Sequence, residues 1–262
     1  MAPSAAASVT RVAPSAWVLV ILLMLASAST PAAVREEARA FARDDGRLLY
    51  RETHWRDRVD GVPRRVVLYR CPDGRAFARK SVLTHAAATQ PDVHYVDART
   101  AYSEGVRTHD GRREVFVERD GALRTRPLPE AEMPAVIDAG FDAAVRARWE
   151  AFDAGPQRLA FLLPERFAFV PVRVSQVGEG DGMRHLRMAV DRWFGAVVPS
   201  IELRYGLDDR RLREFAGPGT VRDARGRPRD VRIVFPATPP LAVSPAEIEA
   251  ALSNPLDGRC TV

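Results

Sequence analysis

From Gly46 onward, hydrophobic and polar residues alternate along the chain with a period of two. In residues 200–206, Ile201, Leu203 and Tyr205 share one face, and the residues between them are charged. Such alternation is typical of a strand with one buried face. Residues 167–174 are apolar on both faces, which predicts a central strand covered on each side. Further strands are predicted at Arg47–Trp55, Arg64–Cys71, Ala76–Leu83, His94–Thr100, Glu114–Glu118, Leu159–Leu163 and Asp230–Pro236.

Asp-Gly pairs recur between these apolar-rich segments. Asp-Gly accepts the positive φ angles that tight hairpin turns require. A single pair is compatible with an ordinary loop, but several pairs at strand-like spacing predict an antiparallel meander. The five pairs are Asp60-Gly61, Asp73-Gly74, Asp110-Gly111, Asp120-Gly121 and Asp181-Gly182.

One long helix is predicted from Pro134 to Phe152. Its apolar residues recur at spacings of four and three and form one stripe, which is typical of a helix with one buried face. Pro134 suits the first helical position, and Gly155 lies just past the end. The stripe comprises Ile137, Phe141, Val145, Trp149 and Phe152. A helix between two sets of strands buries such a stripe on the sheet, and the concave side is the simplest place for it.

The flanking segments complete the predicted organisation. Residues 29–45 are interpreted as a short helical lead-in, and residues 46–236 as one β domain. Residues 237–262 form a C-terminal tail, where Ser244 and Glu247 fit a capping box that begins a short helix. The predicted fold is therefore mainly β: a curved antiparallel sheet, or half-barrel, with one long helix packed on its concave face.

Residues 1–28 have the features of a secretory signal peptide. Arg11 is the only charge before the apolar run from Ala16 to Leu25, and the small residues Ala26-Ser27-Ala28 follow it. Cleavage after Ala28 is the first choice and cleavage after Ala33 the second; an uncleaved membrane anchor is the alternative. The apolar run is shorter than the roughly 20 residues that span a bilayer. We expect a periplasmic protein that is soluble after cleavage.

Two cysteines, Cys71 and Cys260, are compatible with this destination, because an oxidising periplasm permits disulfides. A bridge between them would close a loop of nearly the whole domain and fix the C-terminal tail. Two free thiols are the alternative.

The charge pattern argues against nucleic acid as a partner. The formal net charge is +5, and Lys80 is the only lysine, so almost all positive charge is arginine. The arginines alternate with acidic residues and do not form one basic block. Lys80 follows Arg79 in a predicted strand, and we interpret it as a surface charge, with a functional role as the alternative.

Sequence motifs for catalysis or metal binding are missing. The five histidines never occur four residues apart or in a His-Glu-x-x-His arrangement. No Gly-x-Ser-x-Gly nucleophile motif occurs either. We therefore expect no metal, no cofactor and no enzymatic activity.

Three groups of segments carry a resemblance to known proteins. They are Val67–Gly74 with Phe77–Lys80, Val136–Phe141, and Val221–Gly226 with Val231–Phe235. These segments resemble a family of uncharacterised exported proteins of Gram-negative bacteria, which brings no assigned activity. The architecture is similar to the periplasmic lipoprotein carriers (LolA/LolB-like), in which helices pack on the concave face of a half-barrel around a hydrophobic cavity. The similarity to the carriers is one of pattern, and it transfers no binding residue.

The functional hypothesis is binding of a lipid, acyl chain or other apolar ligand in the cleft between sheet and helix. The predicted lining residues are Phe141, Val145, Trp149, Phe161, Phe167 and Phe169. The alternative is a structural or interaction protein of the cell envelope with a filled interior and an envelope protein as partner. An enzyme is the third hypothesis. The sequence does not determine an oligomeric state.

Overall fold

Strands dominate the computed structural model, which describes residues 33–85, 87–191 and 200–262. The strands join in one curved, open sheet, which confirms the predicted fold class. They are β1 (Ala33–Ala42), β2 (Leu48–Val59), β3 (Val62–Arg70), β4 (Ala76–Leu83), β5 (Asp92–Asp97), β6 (Tyr102–His109), β7 (Arg112–Arg119), β8 (Ala122–Pro127), β9 (Ala135–Val136), β10 (Gln157–Leu163), β11 (Ala168–Gly180), β12 (Met183–Val190), β13 (Ile201–Gly206), β14 (Leu212–Arg222), β15 (Pro228–Val234) and β16 (Leu241–Val243). The helices are α1 (Gly140–Ala147), α2 (Ala151–Ala154) and α3 (Pro245–Ser253).

The sheet consists of two meanders that meet in its middle. The strand order is β8-β7-β6-β5-β4-β3-β2-β1-β15-β14-β13-β12-β11-β10-β9, and β16 also pairs with β1. Neighbouring strands are antiparallel except β9 and β10, which are parallel. The chain therefore runs from the centre to one edge, crosses to the other edge, and returns to pair β15 with β1.

The predicted helical lead-in at residues 29–45 is wrong where the structure describes it, because residues 33–42 form strand β1. Ala38, Ala40 and Ala42 are buried, and the intervening Arg39 is exposed, so burial follows a period of two. Alanine favours helices locally, but pairing with β2 and β15 outweighs this weak preference. The sheet also includes β16, so it extends beyond the predicted domain bounds of 46–236 at both ends.

The Asp-Gly pairs form hairpin turns, as predicted. At four of the five pairs both residues have positive φ, as two-residue turns of type I′ require. These pairs are Asp60-Gly61, Asp110-Gly111, Asp120-Gly121 and Asp181-Gly182. At Asp73-Gly74 only the glycine has a positive φ, of 92°.

The predicted long helix at residues 134–152 is interrupted. Residues 135–136 form β9, and Asp138 has a φ of 42°, which a helix does not accommodate. The backbone N–H of Ile137 donates to the carbonyl of Thr89 at 2.9 Å. A Cβ on Gly140 would lie 2.1 Å from that carbonyl oxygen, so this close approach requires glycine. The segment is thus anchored to the loop before β5, and α1 begins only at Gly140.

The C-terminal tail packs on the other face of the sheet. Ile248 and Ala251 of α3 are buried against Trp55, Val66 and Leu68. The predicted disulfide between Cys71 and Cys260 is present and joins the tail to the end of β3. The short helix predicted after Ser244 is also present, but the predicted capping box is wrong. Ser244 makes no side-chain cap hydrogen bond, and the Glu247 side chain accepts from Arg35 and Trp55 instead.

The signal peptide predicted at residues 1–28 lies outside the described residues. Within the ranges described, no helix is long and apolar enough to span a bilayer.

Candidate ligand-binding cleft

A cleft of about 530 Å³ lies between the concave face of the sheet and residues 137–142, the covering segment, which leads into α1. Strands β2–β6 contribute residues to one side and β10–β15 to the other. This volume falls in the range of about 300–1,000 Å³ that is typical of small-molecule sites. The cleft is therefore large enough for a ligand.

One part of the cleft is apolar. The rings of Phe141 and Phe161 meet edge to face, with centroids 6.3 Å apart, where α1 approaches β10. The alternation of the strands presents further large apolar side chains to the same space. They include Val170, Met188, Ile201, Leu212, Phe215 and Phe235.

Two of the six predicted lining residues, Phe141 and Phe161, line the cleft. Val145 and Trp149 are instead buried in the core between α1 and the sheet, with exposed fractions of 0% and 5%. They lie one and two turns along the predicted stripe from Phe141, on the part that packs directly against strands.

Phe167 and Phe169 are likewise not among the lining residues. Phe167 follows a short 3-10 helix with a left-handed φ of 50°, so it leaves the alternation of the strand. Both side chains pack against the cluster that contains Val82 and Val93. The Arg124 guanidinium also lies over the Phe167 ring, at 5.3 Å. The predicted residues are thus divided between the cleft and two packed clusters.

The interpretation of Lys80 as a surface charge is wrong. Lys80 is buried and lines the cleft, because β4 turns Lys80 inward while the neighbouring Arg79 faces α3. Its Nζ donates to both carboxylate oxygens of Asp138, at 2.7 and 3.0 Å, and to Thr220 Oγ1 at 3.0 Å. The only lysine of the chain therefore connects the floor of the cleft to the covering segment.

A chain of three polar residues lies on β2 and β3. Arg65 Nη2 lies 2.8 Å from His54 Nδ1, and His54 Nε2 lies 2.9 Å from Glu52 Oε2. Because a guanidinium only donates, Nδ1 must accept, and the imidazole proton must be on Nε2 and point to Glu52. Burial and then the charge of Arg65 lower the pKa of His54 below its usual 6.5, against the opposing effect of Glu52. The geometry and the pKa both favour neutral His54.

A third polar group surrounds Glu104 on β6. Tyr102 donates to its carboxylate at 2.5 Å, and Arg222 lies 3.5 Å from the same oxygen. Burial raises the pKa of Glu104, whereas the hydrogen bond from Tyr102 and the charge of Arg222 act against the increase. Arg222 also forms an ion pair with Glu165 at 3.4 Å. Its charge is thus compensated by two carboxylates.

The apolar periodicity of the chain does not predict these polar residues of the cleft. One signal was available: Glu52 and His54 are two residues apart on one strand, so they must share a face. Which face is buried depends on the covering segment, which comes from residues far along the chain.

A second groove, of about 620 Å³, lies on the opposite face of the sheet beside α3. Its polar groups already bind each other. Glu247 accepts from Arg35 at 2.9 Å and from Trp55 Nε1 at 2.8 Å. With its polar groups satisfied in this way, the groove is the weaker candidate for a ligand site.

Among the residues that the structure describes, no group of three or more His, Cys, Asp or Glu side chains is arranged to hold a metal ion. No protein-family model matches the chain, and no curated protein matches it significantly.

Proposed function

We propose that this protein is an exported, periplasmic binding protein that holds a lipid, an acyl chain or another amphipathic ligand in the cleft between the sheet and α1. The observation that carries the proposal is the cleft itself, whose apolar part around Phe141 and Phe161 adjoins the charged groups around Lys80. An acyl chain matches the first part and a polar headgroup the second.

The driving force would be burial of the hydrocarbon chain. Each buried methylene contributes about 0.8 kcal/mol, so a chain of several methylenes offsets the entropic cost of association. A filled interior would suit the alternative, a purely structural envelope protein. A cleft of about 530 Å³ with large apolar side chains at its surface favours the binding role.

Two observations support the periplasmic location. Disulfides persist in oxidising compartments, and Cys71 and Cys260 form one. The sequence of residues 1–28 has the charge, apolar run and small residues of a signal peptide. Fractionation of a Gram-negative host with N-terminal sequencing tests this part. We expect periplasmic protein cut after Ala28; uncut protein in the cytoplasm would contradict it.

Binding is tested with protein purified from the periplasm. Native mass spectrometry should show an added lipid-sized mass, and delipidated protein should bind a fluorescent fatty acid with one site per chain. Val170→Trp should abolish binding because the larger side chain fills the cleft. Val177→Trp is the matched control, since Val177 lies on the same strand but is 51% exposed and outside the cleft.

Loss of binding in both tryptophan variants, or none in either, would show that the probe binds elsewhere. No bound lipid and no probe binding by the parent protein would overturn the proposed function.

A further inference from the structure

We infer that the polar part of the cleft recognises an anionic headgroup, a carboxylate or a phosphate monoester, through Arg65. This inference rests on the proposed function, because it specifies the ligand of the same cleft.

The cations that line the cleft differ in how their charges are compensated. Lys80 is paired with Asp138, and Arg222 with Glu104 and Glu165. Arg65 also lines the cleft, but within the described ranges no carboxylate lies within ion-pair distance of it, and its side-chain bond goes to His54. Partly buried charges are usually paired. A bound anion would therefore supply the negative partner that Arg65 lacks.

His54 does not compensate the charge of Arg65. His54 accepts from Arg65 and donates to Glu52, so it orients the guanidinium without neutralising it. Burial and the Arg65 charge keep the pKa of His54 below its usual value. The guanidinium is therefore held in place by a neutral partner. It offers the planar donor geometry that binds carboxylate and phosphate oxygens in pairs.

Arg65 also has hydrogen-bonding capacity left over. Its Nε is buried and has no hydrogen-bond partner among the described residues. Buried polar groups nearly always have partners. An oxygen atom of the ligand headgroup would supply the acceptor that this Nε lacks.

Two carboxylates on this side of the cleft could oppose a bound anion. The Asp142 carboxylate is paired with Arg146 at 2.6 Å, so its charge is compensated. Glu52 keeps its charge, because neutral His54 only donates a hydrogen bond to it. Glu52 lies on the opposite side of the His54 ring from Arg65, so the imidazole separates it from an anion bound by the guanidinium.

The test uses three probes with the same chain: dodecanoic acid, its methyl ester and dodecyl phosphate. Each displaces a fluorescent apolar probe from the delipidated protein, at a pH where the acid is ionised. Hydrogen bonds to a charged group contribute more free energy than those to a neutral group. We therefore expect the acid, the phosphate or both to bind about tenfold to a hundredfold more tightly than the ester. The tighter of the two anions identifies the headgroup.

Arg65→Gln should remove this preference while the ester binds as before, and Arg65→Lys should retain part of it. Arg58→Gln is the matched control, because Arg58 is exposed on β2 and outside the cleft lining. Arg166→Gln tests the exposed arginine at the rim and should leave most of the preference. Circular dichroism confirms that each variant is folded.

Equal affinity of the parent protein for the acid, the phosphate and the ester would overturn the inference and leave the proposed function standing. The same holds if Arg166→Gln, and not Arg65→Gln, removes the preference. Failure of all three probes to bind would overturn the proposed function itself. The comparison of probes on the parent protein decides the question even if an Arg65 variant does not fold.

Discussion

Lys80 and Asp138 hold each other through two hydrogen bonds of 2.7 and 3.0 Å, although 58 residues separate them in sequence. Lys80 belongs to the floor of the cleft and Asp138 to the segment that covers it. This ion pair therefore fixes the covering segment on the sheet at the point where the chain turns toward α1.

Lys80→Met should lower the free energy of unfolding by about 1–3 kcal/mol, because Asp138 then loses the partner that compensates its desolvation. Urea unfolding followed by circular dichroism measures this change.

Asp138→Asn is the companion variant, because asparagine tolerates the positive φ of this position and loses only the charge. The double variant should be less destabilised than the sum of the two single variants. Strict additivity would show that the two side chains do not stabilise each other.

Acidification should destabilise the fold through His54. Its folded-state pKa lies below the unfolded value of 6.5, so the unfolded chain binds more protons as the pH falls through 6.5. The free energy of unfolding should therefore decrease from neutral pH downward until the folded-state pKa is passed. Protonation of His54 would also place a proton on Nδ1, facing the N–H donor of Arg65. The charge of Arg56 would further repel the imidazolium, whereas the charge of Glu52 would attract it.

His54→Gln should reduce the slope of unfolding free energy against pH in this range, measured by urea unfolding at several pH values. Burial also lowers the pKa of His94, so part of the slope should remain. His109→Gln is the control, because this side chain is 80% exposed. An unchanged slope in His54→Gln would contradict the assignment.

Removal of the disulfide should cost about 5 kcal/mol of stability, because the bridge closes a loop across a sequence separation of 189 residues. The variant that carries Cys71→Ser and Cys260→Ser should unfold at lower urea concentration than the oxidised parent. A reducing agent should destabilise the parent and leave the double variant unchanged. Equal stability of parent and variant would mean that the bridge does not constrain the unfolded chain.

Gly140→Ala should destabilise the protein by about 1–3 kcal/mol, although alanine is the better helix former. The added Cβ would lie 2.1 Å from the carbonyl oxygen of Thr89 and force the two backbones apart. Gly180→Ala is the control, since no atom lies within 4 Å of its Cβ position. Thermal unfolding compares the two, and similar melting temperatures would count against the close approach.

Local patterns predicted the fold where neighbouring residues determine it. The Asp-Gly turns depend on two residues each, and the alternation of residues 200–206 depends on one strand. The alanines of β1 suit a helix or a strand, and only the pairing of β1 with β2 and β15 decides between them. The apolar stripe predicts too long a helix because the contact of Gly140 with Thr89, which ends it, joins positions 51 residues apart.

The candidate site, like the fold, was predicted only where neighbouring residues determine it. Phe141 and Phe161 were predicted from apolar periodicity and line the cleft, whereas Trp149, from the same stripe, is buried in the core. Periodicity identifies a buried face but does not tell a packed surface from the wall of a cleft. The arrangement of Arg65 and Lys80 depends on which strand faces meet the covering segment, which no local pattern encodes.

The pairing of β1 with β15 has a consequence for how the chain reaches this fold. Arg39 pairs with Val234. The contact between the two meanders therefore joins residues that lie near opposite ends of the chain segment that forms the sheet. Contacts of such high sequence separation slow folding, because loop closure must precede them. In a chain synthesised from its N-terminus, that edge of β1 lacks β15 until the second meander has been made. We therefore expect the pairing of β1 with β15 to form late. Until it forms, this edge of β1 must be protected from aggregation in the nascent chain.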